Sequence, residues 1–155
     1  MIFLTLCRQE YHGLMQKAFK IPESVLIVIY TEQQQVLLLE RCYPDAFWQS
    51  VTGSLELNET PAQTAKREVF EETGLNIEPA FTGIINIYPI HPAWRNRYHE
   101  DIGFNKEYVF TAQLKDICEV KNNPAEHCTV EWLDKNAAAK KCSSITNSRA
   151  IDILV

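Results

Sequence analysis

Three glutamates, Glu68, Glu71 and Glu72, are the residues whose type and spacing most clearly suggest chemistry. They stand at positions i, i+3 and i+4, which on an α-helix places all three side chains on one face. Like charges at this spacing repel by about 0.2–0.5 kcal/mol per pair in water. Converging carboxylate oxygens suit a hard divalent cation. A solvated acidic face is the alternative interpretation, because glutamate is also a good helix former.

The residues that flank these glutamates predict a helix between Thr60 and Gly74. Thr60 can accept a hydrogen bond at the helix N-terminus, and Gln63 completes a capping-box pattern with it. Pro61 suits the first helical position, where a backbone N–H would have no partner within the helix. Gly74 can adopt the left-handed conformation that ends many helices. The three glutamates are therefore expected on a helix with defined ends.

The same helix carries a narrow apolar stripe beside its acidic face. Ala62, Ala65 and Val69 form this stripe at helical spacing. We expect the stripe to dock on the protein core while the carboxylates stay accessible to solvent. The chain enters this region through Gly53, where the missing side chain allows another group to approach the backbone closely.

The remaining chain predicts a sheet around this helix. Apolar and β-branched runs separated by polar turns predict six strands, at residues 24–30, 36–39, 47–52, 81–90, 107–114 and 129–133. Residues 91–105 show neither helical nor strand periodicity in their apolar residues, which predicts a long loop. A helix over residues 135–141 can be capped by Asp134, and a terminal helix by Thr146 or Asn147. This order predicts an α/β domain with a mixed sheet flanked by helices.

Length and composition indicate a single folded domain. The chain has 155 residues, of which 46% are hydrophobic and 23% are charged, as is ordinary for a globular protein. Residues 1–14 fit no period, and Met15 comes shortly before the first predicted strand. We predict an N-terminal extension at residues 1–14 and one domain at residues 15–155.

The net charge and the cysteines limit the possible partners of the protein and its cellular location. The net charge of −5 argues against a nucleic-acid polymer or an anionic membrane as partner. No apolar run reaches the roughly 18 residues that span a bilayer. The five cysteines are odd in number and lack a C-x-x-C pair, so they predict neither a disulfide framework nor a zinc site. Buried or idle thiols in a reducing cytoplasm are the expectation. The sequence does not indicate an oligomeric state.

The spacing around the acidic helix resembles the signature of the Nudix hydrolases. The matching positions are Gly53, Glu59, Arg67, Glu68, Glu71, Glu72 and Gly74. The resemblance implies the α/β/α sandwich of Nudix domains, with a mixed sheet between helices. It also implies a hydrolase of small molecules that contain a diphosphate, with Mg²⁺ as cofactor and Mn²⁺ as a substitute.

Segments outside the signature resemble one branch of that family, the bacterial dihydroneopterin triphosphate pyrophosphatases. They are residues 25–30, 47–54 (with Val-Thr in place of the Pro-Gly of many Nudix domains), 95–98, 126–127 and 131–134. This resemblance implies hydrolysis of 7,8-dihydroneopterin triphosphate to its monophosphate and pyrophosphate, a step in folate synthesis. Two alternatives stay open: a nucleoside triphosphate pyrophosphohydrolase acting on dATP or an oxidised nucleotide, and a Nudix module that binds a ligand without catalysis.

The predicted metal ligands and catalytic residues lie on or near the acidic helix. Glu68 and Glu72 are one turn apart and are the first choice of ligands. The resemblance adds Glu126, because the similar enzymes have a ligand at the matching position. Glu71 is either another ligand or the base that takes a proton from the attacking water. Arg67 is expected to orient a carboxylate by paired hydrogen bonds.

The predicted substrate contacts come from other parts of the chain. Four positions match residues that contact substrate in the similar enzymes: Lys20, Arg41, Thr52 and Ser144. Tyr88 and His91, together with Trp94, can line a pocket in which a flat pterin ring stacks. Surface charges and ordinary core packing are the alternative interpretations for these residues.

Overall fold

The computed structural model describes residues 19–155, so the predicted extension at residues 1–14 and its boundary lie outside the described part. The strands are β1 (Glu23–Thr31), β2 (Gln35–Arg41), β3 (Phe47–Gln49), β4 (Val51–Ser54), β5 (Ala80–Pro89), β6 (Phe104–Leu114) and β7 (His127–Asp134). The helices are α1 (Pro61–Thr73), α2 (Lys135–Lys141) and α3 (Ile145–Leu154), with a short 3-10 helix at Pro92–Arg97. Within residues 19–155, no helix is both long and apolar enough to cross a membrane.

Strand β1 lies at the centre of the sheet. It runs parallel to β6 along its whole length. On its other edge, residues 24–27 pair antiparallel with β4, and Tyr30 pairs with Val36 of β2. The remaining pairs, β2 with β3, β2 with β7 and β5 with β6, are antiparallel. The sheet is therefore mixed, as predicted.

Helices cover both faces of this sheet because the side chains of β1 alternate between two core layers. One layer joins β1 to α1 and includes Val25, Ile27, Ile29, Ala65 and Val69. The opposite layer joins β1 to α2 and α3 and includes Leu26, Val28, Ala138 and Ile151. Burial of each large apolar side chain contributes about 1.5–3 kcal/mol. The predicted α/β/α sandwich is confirmed.

The ends of α1 also agree with the prediction. The Thr60 hydroxyl accepts a hydrogen bond from the backbone N of Gln63 at 3.3 Å, and the Gln63 side chain accepts one from the backbone N of Thr60 at 2.9 Å. Gly74 follows the helix with φ of 73°, in the left-handed region that favours glycine. These caps fix where the acidic face begins and ends.

The predicted faces of α1 were wrong in two respects. Ala62 is exposed and does not belong to the docking stripe. Glu72 is only 2% exposed, so one of the carboxylates expected to stay accessible is buried. The reason is the line along which α1 packs on the sheet: Ala65, Val69 and Glu72 stand at i, i+4 and i+7, which share one helix face.

The segment predicted as one strand at residues 47–52 forms two strands that are divided at Ser50. β3 pairs with β2, whereas β4 pairs with β1. Between them, the backbone N of Ser50 donates to Asn147 Oδ1 at 2.7 Å, and Asn147 Nδ2 donates to the Ser50 hydroxyl at 2.9 Å. Because Asn147 holds Ser50, it does not cap α3. That helix begins at Ile145 after Ser144, and not after Thr146 or Asn147 as predicted.

The predicted loop at residues 91–105 is more ordered than expected. It contains the 3-10 helix, whose first turn is capped by His91 Nδ1 accepting from the backbone N of Ala93 at 3.1 Å. Strand β6 begins three residues before the predicted start, because Phe104 and Asn105 already pair with β5. Pairing between distant segments extends this strand.

The prediction of no disulfide was wrong as well. Cys42 and Cys128 are joined by a disulfide between the ends of two neighbouring strands, with Cα atoms 5.2 Å apart. The antiparallel pairing of β2 with β7 shifts register between Glu40 and Arg41, so Cys128 is the extra residue of a bulge and lies within reach of Cys42. A sequence count cannot reveal this proximity, since 86 residues separate the two thiols.

Candidate active site

A cleft of about 1060 Å³ opens beside the acidic helix. It is lined by all six predicted substrate contacts, Lys20, Arg41, Thr52, Tyr88, His91 and Ser144. Glu68, Glu71, Arg67 and Glu126 line the same cleft. Glu72 is not among the lining residues, since it is buried beneath them. The fold thus gathers residues from widely separated parts of the chain at one place.

Arg67 is the centre of an ion-pair network on α1. Its Nε and Nη2 atoms donate to the two carboxylate oxygens of Glu59 at 2.7 and 2.9 Å. Its Nη1 donates to Glu68 at 2.7 Å and to Glu71 at 3.2 Å, and Nη2 also reaches the carbonyl of Ser54 at 3.1 Å. The Arg67 hydrogen bonds lower the pKa of Glu59 to about 2. One guanidinium therefore fixes the positions of three carboxylates.

Glu68 approaches the backbone at Gly53. A Cβ atom placed on Gly53 would lie only 2.0 Å from Glu68 Oε1, so any larger residue would occupy the place of this carboxylate. Burial raises the pKa of Glu68 to about 7, although Arg67 opposes the shift. The pattern of a glycine before the acidic helix thus has a direct steric explanation.

We expect Gly53→Ala to reduce turnover strongly at a small cost in stability. The clashing atoms belong to the flexible end of Glu68, which can swing away, so the protein still folds while the carboxylate is displaced. A displacement of about 1 Å at a reacting site can reduce the rate by about 10²-fold. Steady-state kinetics and thermal unfolding measure the two effects. Gly103→Ala is the matched control, because a Cβ atom placed there would meet no other atom within 4 Å and the backbone is not left-handed. A Gly53→Ala enzyme of normal activity would contradict this account.

Glu72 is a buried acid with an unpaired oxygen. Its Oε2 is sealed from solvent and has no hydrogen-bond partner among residues 19–155. Burial, followed by the charges of Glu68 and Glu126, raises its pKa well above the ordinary value, while Arg41 opposes the shift. Such a carboxylate is unfavourable as an anion unless a positive charge joins it.

Glu126 and His127 complete a group around Glu72. One ligand atom from each of these three residues lies within 4.8 Å of the others. Glu68 is not in this group, since its carboxylate is turned towards Arg67 and Gly53. Burial and then Arg41 lower the pKa of His127 to about 4. A sealed, unpaired carboxylate oxygen beside a second carboxylate fits a divalent cation, which would replace the proton that burial otherwise favours.

An aromatic cluster forms another wall of the cleft. Trp94 contacts Phe47 in an edge-to-face arrangement and His91 at a tilt of 46°, with ring centroids 5.1 and 5.0 Å apart. The Arg41 guanidinium lies 5.5 Å from the centre of the Trp94 ring. Arg41 therefore connects the acidic end of the cleft to its aromatic wall.

A buried polar network lies on the strands that line the cleft, and of its members only Tyr88 was predicted from the sequence. Glu107 is 4% exposed and accepts hydrogen bonds from Asn86 at 3.1 Å and from Tyr88 at 3.0 Å. Asn105 donates to Ser24 at 2.6 Å and to the Tyr88 hydroxyl at 3.1 Å. Burial is the main cause that raises the pKa of Glu107. Two polar residues at alternate positions of a strand, before buried Val109, were the available signal.

The chain matches the family model described as NUDIX domain over residues 20–151. It therefore belongs to the Nudix family of hydrolases, as the signature indicated. The dihydroneopterin triphosphate diphosphatase of Haemophilus influenzae is 34% identical over 154 residues, covering 93% of this chain and 94% of that protein. The enzyme of the same name from Escherichia coli is 36% identical over 145 residues, covering 90% and 95%.

A solved structure supports the same grouping. The Escherichia coli dihydroneopterin triphosphate pyrophosphohydrolase superposes with a TM-score of 0.85 at 35% identity, over 90% of this chain and 98% of that one. A putative Nudix hydrolase of Listeria monocytogenes, at 24% identity and a TM-score of 0.73, shares the fold over 86% of this chain and 92% of that one.

Proposed function

We propose that this protein hydrolyses 7,8-dihydroneopterin triphosphate to dihydroneopterin monophosphate and pyrophosphate with Mg²⁺, as a step of folate synthesis in the cytoplasm. The observation that carries the proposal is the similarity to two enzymes of that name at 34% and 36% identity, over at least 90% of this chain. The cleft supports it with two chemically different regions, one acidic and one aromatic and polar.

The acidic region suits the triphosphate. A divalent cation held by Glu72 and Glu126, and by Glu68 once its carboxylate turns away from Arg67, would neutralise phosphate oxygens and lower the pKa of the attacking water. Lys20 and Arg41 line the same cleft and can pair with the remaining phosphate charge. Because the chain carries a net charge of −5, these local cations are needed to attract a polyanion.

Glu71 is the residue that we assign to the proton of the attacking water. Its side chain is 53% exposed and faces the cleft, in contrast to buried Glu72. A single hydrogen bond of 3.2 Å from Arg67 orients it. A carboxylate in this position can reach water in the cleft and accept a proton from it. Arg67 acts as a positioning residue, since its donors are directed at Glu59, Glu68, Glu71 and the Ser54 carbonyl.

The other region suits a heterocycle with hydrogen-bonding edges. Tyr88, Asn105 and Glu107 line this part of the cleft. Gln49 Nε2 and Asn105 Oδ1 are buried there without a hydrogen-bond partner in residues 19–155. Unpaired buried amide atoms are unfavourable and indicate a missing partner. A pterin ring offers donors and acceptors along its edge and a flat face for the aromatic wall.

A product assay with 7,8-dihydroneopterin triphosphate tests this proposal. We expect pyrophosphate as the inorganic product, because the proposed cleavage leaves the pterin as its monophosphate. Chelation by EDTA should reduce turnover to background, and added Mg²⁺ should restore it. Orthophosphate as the first inorganic product, or turnover that persists in EDTA, would contradict the proposal. A non-catalytic Nudix module would show no product under any of these conditions.

A further inference from the structure

His127 is a completely buried histidine whose ring nitrogens form no hydrogen bond with the described residues. Its side chain is 0% exposed, and neither ring nitrogen has a hydrogen-bond partner among residues 19–155. A buried, unpaired imidazole costs free energy, so its position needs an explanation. The carboxylate of Glu72 lies close to it, with Oε2 at 4.0 Å from His127 Nε2.

The separation of these two atoms is informative. At 4.0 Å, His127 Nε2 and Glu72 Oε2 are too far apart for a hydrogen bond. Both atoms are buried, and neither has a hydrogen-bond partner among residues 19–155. Two ligand atoms that each lie about 2.0–2.2 Å from one ion can be at most about 4.4 Å apart, and the observed separation is within this limit. The gap is therefore too long for a direct hydrogen bond and short enough for both atoms to bind one ion.

Glu126 completes the group and connects it to the cleft. Its ligand oxygen lies within 4.8 Å of both other ligand atoms, and its side chain is exposed towards the cleft. The backbone around His127 is also held firmly. Arg41 is opposite His127 at an irregularity of the β2–β7 pairing, and the Cys42–Cys128 disulfide follows directly. The backbone that carries the imidazole is thus cross-linked beside the group.

We propose that His127 is a nitrogen ligand of the cation site formed with Glu72 and Glu126, so that this site binds Mn²⁺, Co²⁺ and Zn²⁺ more tightly than Mg²⁺. The inference rests on the proposed cation site at these carboxylates. Imidazole nitrogen suits first-row transition ions, whereas Mg²⁺ favours oxygen ligands. A site of two oxygens and one nitrogen should therefore discriminate among divalent ions in a way that carboxylates alone do not.

The first test uses the full-length wild-type protein labelled with ¹⁵N-histidine, titrated with Zn²⁺ and separately with Mg²⁺. We expect one ring nitrogen of His127 to shift strongly at one equivalent of Zn²⁺, while the His91 and His99 nitrogens stay in place. Resonance assignment in the wild type makes this result independent of any variant. Zn²⁺ that binds without moving the His127 ring nitrogens would overturn the inference.

The second test compares affinities by calorimetry with the metal ions alone. His127→Gln should lower the affinity for Mn²⁺ and Co²⁺ by about tenfold or more, and that for Mg²⁺ by less than about threefold. His99→Gln is the matched control, because His99 is exposed and lies outside the group. Equal losses for all ions would contradict a nitrogen ligand.

Different results would contradict the proposed function and the proposed role of His127. Glu72→Gln should abolish the binding of Mg²⁺ whether or not His127 is a ligand. A protein that binds Mg²⁺ through Glu72 while His127 stays unligated keeps the proposed function and loses only this inference. A protein in which Glu72→Gln leaves the binding of every ion unchanged loses the proposed cation site itself.

Discussion

Glu72→Gln is expected to remove nearly all hydrolytic activity and, at the same time, to stabilise the metal-free protein. Glu72 is 2% exposed and its Oε2 has no partner in the described residues, so glutamine removes a buried group that is unfavourable when ionised, with little change in shape. Removal of such a group stabilises by about 1–3 kcal/mol, which corresponds to a rise in Tm of a few degrees. Loss of a ligand should reduce kcat by about 10³-fold or more.

The pH dependence of this stabilisation has a definite sign. Because burial raises the pKa of Glu72 above its ordinary 4.5, the unfolded chain releases the proton before the folded protein does. The metal-free wild type should therefore lose stability as pH rises above about 4.5, and Glu72→Gln should lack this component. Thermal unfolding in EDTA across pH measures the difference. Glu119→Gln, at an exposed position, is the control. A destabilised Glu72→Gln that keeps its activity would contradict both parts.

Arg67→Lys is the second change with a large expected effect, even though it keeps the positive charge. Lysine cannot reproduce the paired hydrogen bonds to Glu59 while also reaching Glu68 and the Ser54 carbonyl. With these carboxylates no longer held, kcat should fall by about 10²-fold or more. KM should change little if Arg67 positions carboxylates, as we propose, and does not bind substrate. Arg149→Lys on the exposed face of α3 is the matched control.

The stability lost in Arg67→Lys should depend on pH through Glu59. The Arg67 hydrogen bonds lower the pKa of Glu59 from 4.5 to about 2, so the folded protein is stabilised by this pair above pH 4.5. That contribution is lost as pH falls from about 4.5 to about 2. The difference in Tm between wild type and Arg67→Lys should therefore shrink over this range. A constant difference would show that Arg67 acts in another way.

The parts of this molecule that follow local rules could be predicted from the sequence. Thr60, Gln63 and Gly74 define α1 through contacts within a few residues, and the spacing of the glutamates places them on one face. The alternation of β1 between two buried faces likewise follows from its continuous apolar run. The six predicted substrate residues, of which four were carried over from a resemblance, all line the cleft. Their contacts with substrate stay predictions.

The parts that depend on distant pairing could not be predicted. Glu72 is buried because of the direction in which α1 crosses the sheet, which the helix sequence does not encode. Cys42 meets Cys128 through the register shift between β2 and β7, and His127 meets Glu72 through the packing of α1 on the sheet. Glu107 joins Asn86 and Tyr88 only because β6 pairs with β5. Sequence periodicity identifies strands but does not give the partner of each residue.

The most direct test of the central claim is a comparison of kcat/KM for 7,8-dihydroneopterin triphosphate with that for dATP, dGTP and an oxidised deoxyguanosine triphosphate. Pterin and purine rings have similar edges, so some hydrolysis of nucleotides is expected with any of them. If the polar network around Glu107 and the aromatic wall at Trp94 select the pterin, its kcat/KM should exceed that of every nucleotide by about tenfold or more. A preference of about tenfold or more for any nucleotide would contradict the account and assign this cleft to nucleoside triphosphates.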